Sequence, residues 1–315
     1  MFKLALLNFA FIISATNLSW GQSFDFEYRH KPEKPRNEIL APVVSFLFPG
    51  ADQWYEGQYA AGALYTGYAT FGLAASVYQT TRINELELDL EFVRAGSGNM
   101  PTNSREQREF LGAQAYMFAG FMSAYHSFRS SVKTRHQLSE YMFLQDNEDT
   151  LQNVALAPFN MTFMSRWTTL VPLGLIAGLV GAGVATENNR SQLSANDWAF
   201  TSGVSYHAGV GEEAFFHGFV YPMFQEKFDN TLLASGTSSL LFAAGHISPS
   251  NQVPVIQFAF GLYMDYLTRR NKWSIQEATF VHFWWDILAI SAAFIVNEDE
   301  ASNRTHHINL LSTSF

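Results

Sequence analysis

Between Thr231 and Met264 the chain carries no Asp, Glu, Lys or Arg, and Ser248-Pro249-Ser250-Asn251 punctuates that stretch into two apolar halves. A run of this kind has few ways to fold. Crossing the hydrocarbon core of a bilayer takes about 20 apolar residues, and in lipid every backbone group must be bonded within a helix or a closed barrel. Comparable segments recur along the chain. Gly57 to Thr81 and Trp167 to Thr186 are uncharged, Phe110 to Phe128 lies between them, a fourth segment covers residues 203–224, and Ala278 to Val296 closes the set. The pattern predicts an all-α protein, a multi-pass transmembrane helical bundle of about six to eight membrane helices around an intramembrane polar site. Small residues at Ala60, Ala61, Gly62, Ala63, Gly67, Gly72, Ala74 and Ala75, and again at Gly174, Gly178, Gly181 and Gly183, predict close helix contacts.

Composition agrees. The chain is 48% hydrophobic and only 15% charged, where soluble domains average about 25% charged. Its mean hydropathy of −0.03 reflects polar linkers diluting the apolar blocks. A net charge of −9 argues against nucleic acid as a partner, because no basic stripe exists to neutralise phosphates. The absence of cysteine excludes disulfides, thiol catalysis and cysteine-ligated zinc.

Residues 1–21 read as a signal peptide or an N-terminal anchor: Lys3 precedes the apolar run Leu4 to Ser14, and Ser19-Trp20-Gly21 offers a cleavage site before Gln22. Residues 22–160 follow as an N-terminal region, with an extended tether over 22–38, a membrane hairpin region, and a short amphipathic helix expected around Glu85 to Val93. Residues 161–297 read as the main membrane domain and 298–315 as a polar tail. Residues 133–158 and 187–197 read as loops. Arg269, Arg270 and Lys272 place the last inter-helix loop on the cytoplasmic side, and Arg129, Lys133 and Arg135 mark a second cytoplasmic loop. Counting back puts the start of Gly57–Thr81 inside, whereas a cleaved signal puts residue 22 outside. The short run Ile39 to Phe48, broken by Pro49-Gly50, resolves the parity if it crosses or re-enters.

The chemistry gathers at Gly211-Glu212-Glu213-Ala214-Phe215-Phe216-His217. Two adjacent carboxylates in an apolar helix repel each other and are costly to desolvate, so they need a proton or a partner, and an intramembrane ionisable pair is by default a functional site. Three features offer partners: His217 four residues on, His246 in Phe242-Ala243-Ala244-Gly245-His246, and His282 four residues before Asp286 on one helix face. Glu213 is expected to anchor to His217. His126, His207, His306 and His307 lack such a context, and Phe215-Phe216 and Phe283-Trp284-Trp285 read as packing or lipid-facing surface.

Glu-Glu-x-x-x-His, Phe-x-x-x-His and His-x-x-x-Asp, in this order on successive helices, resemble the motifs of the CaaX protease and bacteriocin-processing family, also called Abi. Gln257-Phe258-Ala259-Phe260-Gly261 fits the same resemblance, which covers roughly residues 165–296. Separately, Phe48 to Gly57 resembles the Pro-Gly-x-x-Gln opening of small bacterial membrane hairpins. The family resemblance implies an intramembrane endopeptidase of the bacterial inner (plasma) membrane, acting on a membrane-associated protein or peptide. Carried over by position, Glu212 is the general base that activates water and His246 orients that water. His282 and Asp286 stabilise the oxyanion, Glu213 is counted with them among the catalytic residues, and His217 supports the site. Two positions depart from the family pattern. His217 stands where an arginine is expected, and Asp286 stands where asparagine is commoner. No cofactor is demanded, since there is no His-Glu-x-x-His pair; if the enzyme depends on a metal, zinc held by Glu212, His246, His282 and Asp286 is the expected set. The alternatives are a catalytically degenerate membrane binding or immunity protein on the same scaffold, and an ion or proton transporter.

Overall fold

The computed structural model describes residues 37–80, 104–138, 144, 149–186, 192–247 and 251–295. The expected signal peptide, most of the tether, the amphipathic helix around Glu85 to Val93, the Ser248-Pro249-Ser250 break and the polar tail with His306 and His307 lie outside them. The described elements are helical, with no strand among the described residues. In chain order they are α1 (Leu40–Leu47), α2 (Ala51–Tyr55), α3 (Tyr59–Thr80), α4 (Ser104–Gln137), α5 (Leu151–Leu156), α6 (Trp167–Thr186) and α7 (Ala195–Tyr206). A π-helical segment (His207–Val220) and α8 (Tyr221–Phe228) continue α7 without a break. They are followed by α9 (Thr231–Ala244), α10 (Val255–Arg270) and α11 (Gln276–Ile295). Trp167–Ala185 and Gln276–Ile295 are long and apolar enough to cross a membrane.

Helix α4 is the central support. It runs well beyond the expected Phe110–Phe128 span, because its ends (Glu106, Arg129, Arg135) are charged yet still good helix formers. Against it lies α3, and the two approach closely where Gly72 and Gly112 meet. A Cβ on Gly72 would stand 2.6 Å from the Gly112 carbonyl oxygen, and one on Gly112 would stand 2.7 Å from that of Gly72. This is the close contact that small residues permit. The expectation fails for α6: a Cβ on Gly174, Gly178, Gly181 or Gly183 would meet nothing within 4 Å. These glycines face outward, and only 28% of the apolar window of α6 lies inside the molecule, against 67% for α11. A second correction concerns residues 133–158, read as a loop: α4 reaches Gln137 and α5 occupies Leu151–Leu156, capped by Thr150, which accepts from the Asn153 amide.

Helix α1, eight residues long, measures about 12 Å and is too short to cross a hydrocarbon core of about 30 Å. It therefore turns back. Gly50 makes the turn at φ +94°, and the Gly50 amide donates to Ser123 Oγ at 2.9 Å. Ser123 Oγ in turn donates to Gln53 Oε1 (2.8 Å), while Gln53 Nε2 donates to the Ser123 carbonyl (3.1 Å). The Pro-Gly-x-x-Gln sequence is thus a clasp that seats the hairpin on α4. At one end of the molecule Glu38 joins Arg135 and Lys227, each at 2.5 Å. Trp273, from the α10–α11 loop, packs against the cluster of Phe128, Val132 and Leu144, so both basic loops lie at that end.

The long helix built from α7, the π segment and α8 begins at a capping box. The Ser194 amide donates to Asp197 Oδ2 (2.9 Å), and Ser194 Oγ accepts from the Asp197 amide (3.2 Å). This shortens the expected loop over 187–197. From His207 the hydrogen-bond register widens, closing with the Tyr221 amide on the Phe216 carbonyl. Pro222, next in line, has neither the N–H nor the room for a regular ladder. Widened turns of this kind concentrate at functional sites, and this one carries both glutamates.

Candidate active site

Four helical elements meet around the π segment: α4, α9, α10 and α11. Close approach to α11 depends on Gly209, where a Cβ would stand 2.8 Å from the Phe283 amide nitrogen. That contact brings His282 to Glu213: Nδ1 of the histidine lies 2.7 Å from Oε1 of the glutamate, and both side chains are buried. His282 Nε2 points the other way, 3.5 Å from Asp286 Oδ2 one turn along α11. The i, i+4 pairing read from the sequence is therefore present, and His282 stands between two carboxylates.

Glu212 points into a different part of the same cluster. Its Oε2 lies 3.8 Å from His246 Nε2 at the end of α9. His246 Nδ1 donates to the Phe242 carbonyl at 2.8 Å, a bond that fixes the tautomer and leaves Nε2 as the acceptor facing Glu212. Asn251 Nδ2 donates to the His246 carbonyl at 3.1 Å and tethers the turn. The ring of Phe242 lies 4.6 Å from that of His246 and 6.0 Å from that of His282, and Phe260 lies 5.1 Å from His282. The Phe-x-x-x-His motif thus supplies an apolar wall as well as a ligand to the proton.

One expected contact is absent. His217 does not bond Glu213; its Nδ1 lies 2.7 Å from Asp265 Oδ1 on α10. The i, i+4 stacking assumed an α-helical register, and in the wider π register four residues fall short of a full turn. Asp265 is the residue that sequence reading missed. It sits directly after the uncharged run that ends at Met264, and the desolvation argument applied to the glutamates marks it equally: a buried carboxylate between Met264 and Tyr266 needs donors. His126 and His207, set aside at first, meet tyrosines. His126 Nδ1 lies 3.3 Å from Tyr65 Oη, and His207 Nε2 lies 2.7 Å from Tyr68 Oη. The aromatic runs are packing: Phe215 packs at a tilt on Phe46 and Phe121, Phe216 meets Phe242 edge to face, and Trp284 Nε1 donates to the Pro158 carbonyl.

Chemically the cluster offers a carboxylate beside a histidine acceptor, and a second histidine held by another carboxylate, inside apolar walls. Glu212 Oε2, Glu213 Oε2 and Asp286 Oδ2 are buried without a hydrogen-bond partner among the described residues. A zinc ion would require Glu212, His246, His282 and Asp286 as ligands. That set does not fit in this arrangement, because among the described residues no three His, Asp or Glu side chains converge as metal ligands do.

Residues 194–288 match the family model described as Rce1-like, type II CAAX prenyl endopeptidase Rce1-like. The matched segment runs from the capping serine of α7 to Leu288 on α11 and contains Glu212, Glu213, His217, His246, His282 and Asp286. The segment that carries the site is therefore similar to that family of CAAX-type endopeptidases. Comparison of the chain with curated proteins and with solved structures gave no match.

Proposed function

We propose that this protein is a multi-pass intramembrane endopeptidase that hydrolyses a peptide bond of a membrane-associated protein or peptide, with Glu212 as general base. The observation that carries the reading is the separation of Glu212 Oε2 and His246 Nε2, two acceptors 3.8 Å apart. A water there donates one hydrogen to each, which turns its oxygen lone pair toward an incoming carbonyl. As the water attacks, its proton passes to Glu212, and the carbonyl oxygen becomes an oxyanion. His282 acts as the imidazolium: its Nδ1–H is held by Glu213, and its Nε2–H is the donor to that oxyanion. The long 3.5 Å separation from Asp286 leaves this edge available, and an ionised Asp286 acts by orienting the ring, since it cannot itself donate. Glu212 then returns the proton to the leaving amine. The membrane helices of this reading are α3, α4, α6, the α7–α8 helix, α9, α10 and α11, in the bacterial inner membrane.

The test is a proteomic comparison of cells carrying the wild type and Glu212→Gln, a change that keeps shape and removes the basic oxygen. One peptide is expected to stop being cut while the variant remains folded and inserted. Turnover retained by Glu212→Gln would sink the assignment. Adding a chelator to the same cleavage assay is expected to leave the rate unchanged.

A further inference from the structure

Asp265 lies outside the residues just given chemical roles, yet it is the best-satisfied carboxylate near them. It is 1% exposed and receives three donors. His217 Nδ1 reaches Oδ1 at 2.7 Å, while Ser235 Oγ and Ser239 Oγ, one turn apart on α9, reach Oδ2 at 2.9 and 3.1 Å. Gly261 makes the serines accessible, since a Cβ there would stand 3.1 Å from the Cα of Ser239. With both oxygens of Asp265 accepting, the proton of the His217–Asp265 bond belongs to His217 Nδ1. The other edge of that ring is the informative one. His217 Nε2 is buried with no hydrogen-bond partner among the described residues, and so is Glu213 Oε2.

We infer that Asp265 is a positioning residue of the site: with Ser235 and Ser239 it holds the Nδ1–H of His217, fixes that ring on the π segment four residues from Glu213, and so steadies the carboxylate that holds His282. The line Asp265, His217, Glu213, His282 crosses from α10 through the π segment to α11. An arginine at position 217 carries a positive charge by itself, whereas a histidine needs a carboxylate at Nδ1 to hold one. Asp265 is that carboxylate, so the departure at position 217 and the buried acid at 265 are one device. The inference rests on the proteolytic reading for its catalytic consequence, but not for the hold on the two rings.

The experiment uses the full chain in detergent micelles with 15N-labelled histidine. Two-bond proton–nitrogen spectra are recorded for the wild type and for Asp265→Asn, with His217→Gln and His282→Gln assigning the signals. Asp265→Asn is expected to change the tautomer pattern of His217 and to shift His282, leaving His126 and His207 where they were. Ser235→Ala is expected to move the same two signals less. In parallel, cleavage of a farnesylated CaaX peptide is measured. Asp265→Asn is expected to lower kcat about tenfold or more with KM within a factor of two, as misorientation of a reacting group does. The double change Asp265→Asn with His217→Arg is expected to recover rate. Unmoved His217 and His282 signals in Asp265→Asn overturn the proposal, as does a double variant no faster than the single one. If the wild type leaves the peptide intact, the proteolytic reading loses that substrate class, and the spectra alone support or overturn the hold of Asp265 on the rings.

Discussion

Replacing Gly209 by alanine separates packing from chemistry in a single methyl group. The added Cβ would stand 2.8 Å from the Phe283 nitrogen, 2.9 Å from its Cα and 3.1 Å from its Cβ, where ordinary contact begins at 3.4 Å. Two of these three atoms are backbone, so no rotamer relieves the clash, and α11 must retreat by about 0.6 Å at that point. His282 precedes Phe283 and moves with it. Its bond to Glu213 Oε1, 2.7 Å long, then stretches to about 3.3 Å, past the usual range for such a bond. Overpacking costs about 1–3 kcal/mol, and alanine returns up to about 1 kcal/mol in helix propensity. The net effect on thermal stability in detergent is therefore modest. The effect on turnover is larger, since a displacement of about 1 Å in a reacting group costs on the order of a hundredfold; for Gly209→Ala we expect roughly tenfold to a hundredfold in kcat. The assay is cleavage of the peptide identified by the Glu212→Gln comparison, beside a thermal melt. Gly178→Ala on α6, whose Cβ meets nothing within 4 Å, is the control and leaves both unchanged. Wild-type turnover in Gly209→Ala would refute the claim that the α11 approach sets the His282–Glu213 geometry.

Three further outcomes follow from other contacts. Glu277 is fully buried at the start of α11 and accepts from Arg166, Thr168, Thr169 and Asn271. Glu277→Ala is expected to destabilise by about 3 kcal/mol, the low end for breaking a buried pair because Arg166 is 40% exposed and can rehydrate; a melt within about 0.5 kcal/mol of wild type would contradict this. Asp286→Asn is expected to retain cleavage, since an amide can orient His282 and also donate to an oxyanion; complete loss of turnover in a folded variant would show that the negative charge is required. At the start of α7, burial pushes the Asp197 carboxyl up, but bonds from Ser194 and Gln107 hold it below the usual carboxylate range. A carboxyl lowered in the folded state gives stability that is complete above its unfolded value of 3.8 and is lost as pH falls through the folded one. Melts of wild type and Asp197→Asn should therefore differ at pH 6 and converge under strongly acid conditions.

How much of this was legible in the sequence varied with the kind of signal. The uncharged run from Thr231 to Met264 divided into α9 and α10 as read, because absence of charge and a Ser-Pro-Ser-Asn break are strong local evidence. Helix α4 was underread for the opposite reason: Arg129 and Arg135 look like loop residues, although arginine is a good helix former and here reaches Glu38. The glycines of α6 advertised a capacity for close packing, and capacity does not name a partner; α3 has one in α4, whereas α6 packs on α11 by another face. At the site, the structure brings Glu212, Glu213, His246, His282 and Asp286 together, but pairs His217 with Asp265. Glu213 and His282 are 69 positions apart, so their contact depends on how Gly209 seats against Phe283 rather than on either motif. The pairing of Glu213 with His217 failed because helical spacing is an assumption about register, which Pro222 and the widened turn set aside.

The hairpin at Pro49-Gly50 has a consequence for how this protein can be taken apart. Phe46 on α1 stacks on Phe121 of α4 and packs at a tilt on Phe215, two residues from Glu213. The backing of the π segment is therefore built from chain that ends more than fifty residues before the Rce1-like segment begins at 194. A transplant of 194–288 into another scaffold carries every titrating side chain of the site and leaves behind the surface against which Phe215 rests. Grafts and domain swaps should treat α1, α2 and α4 as inseparable from the glutamates, joined through a serine and a glutamine that have no chemistry of their own.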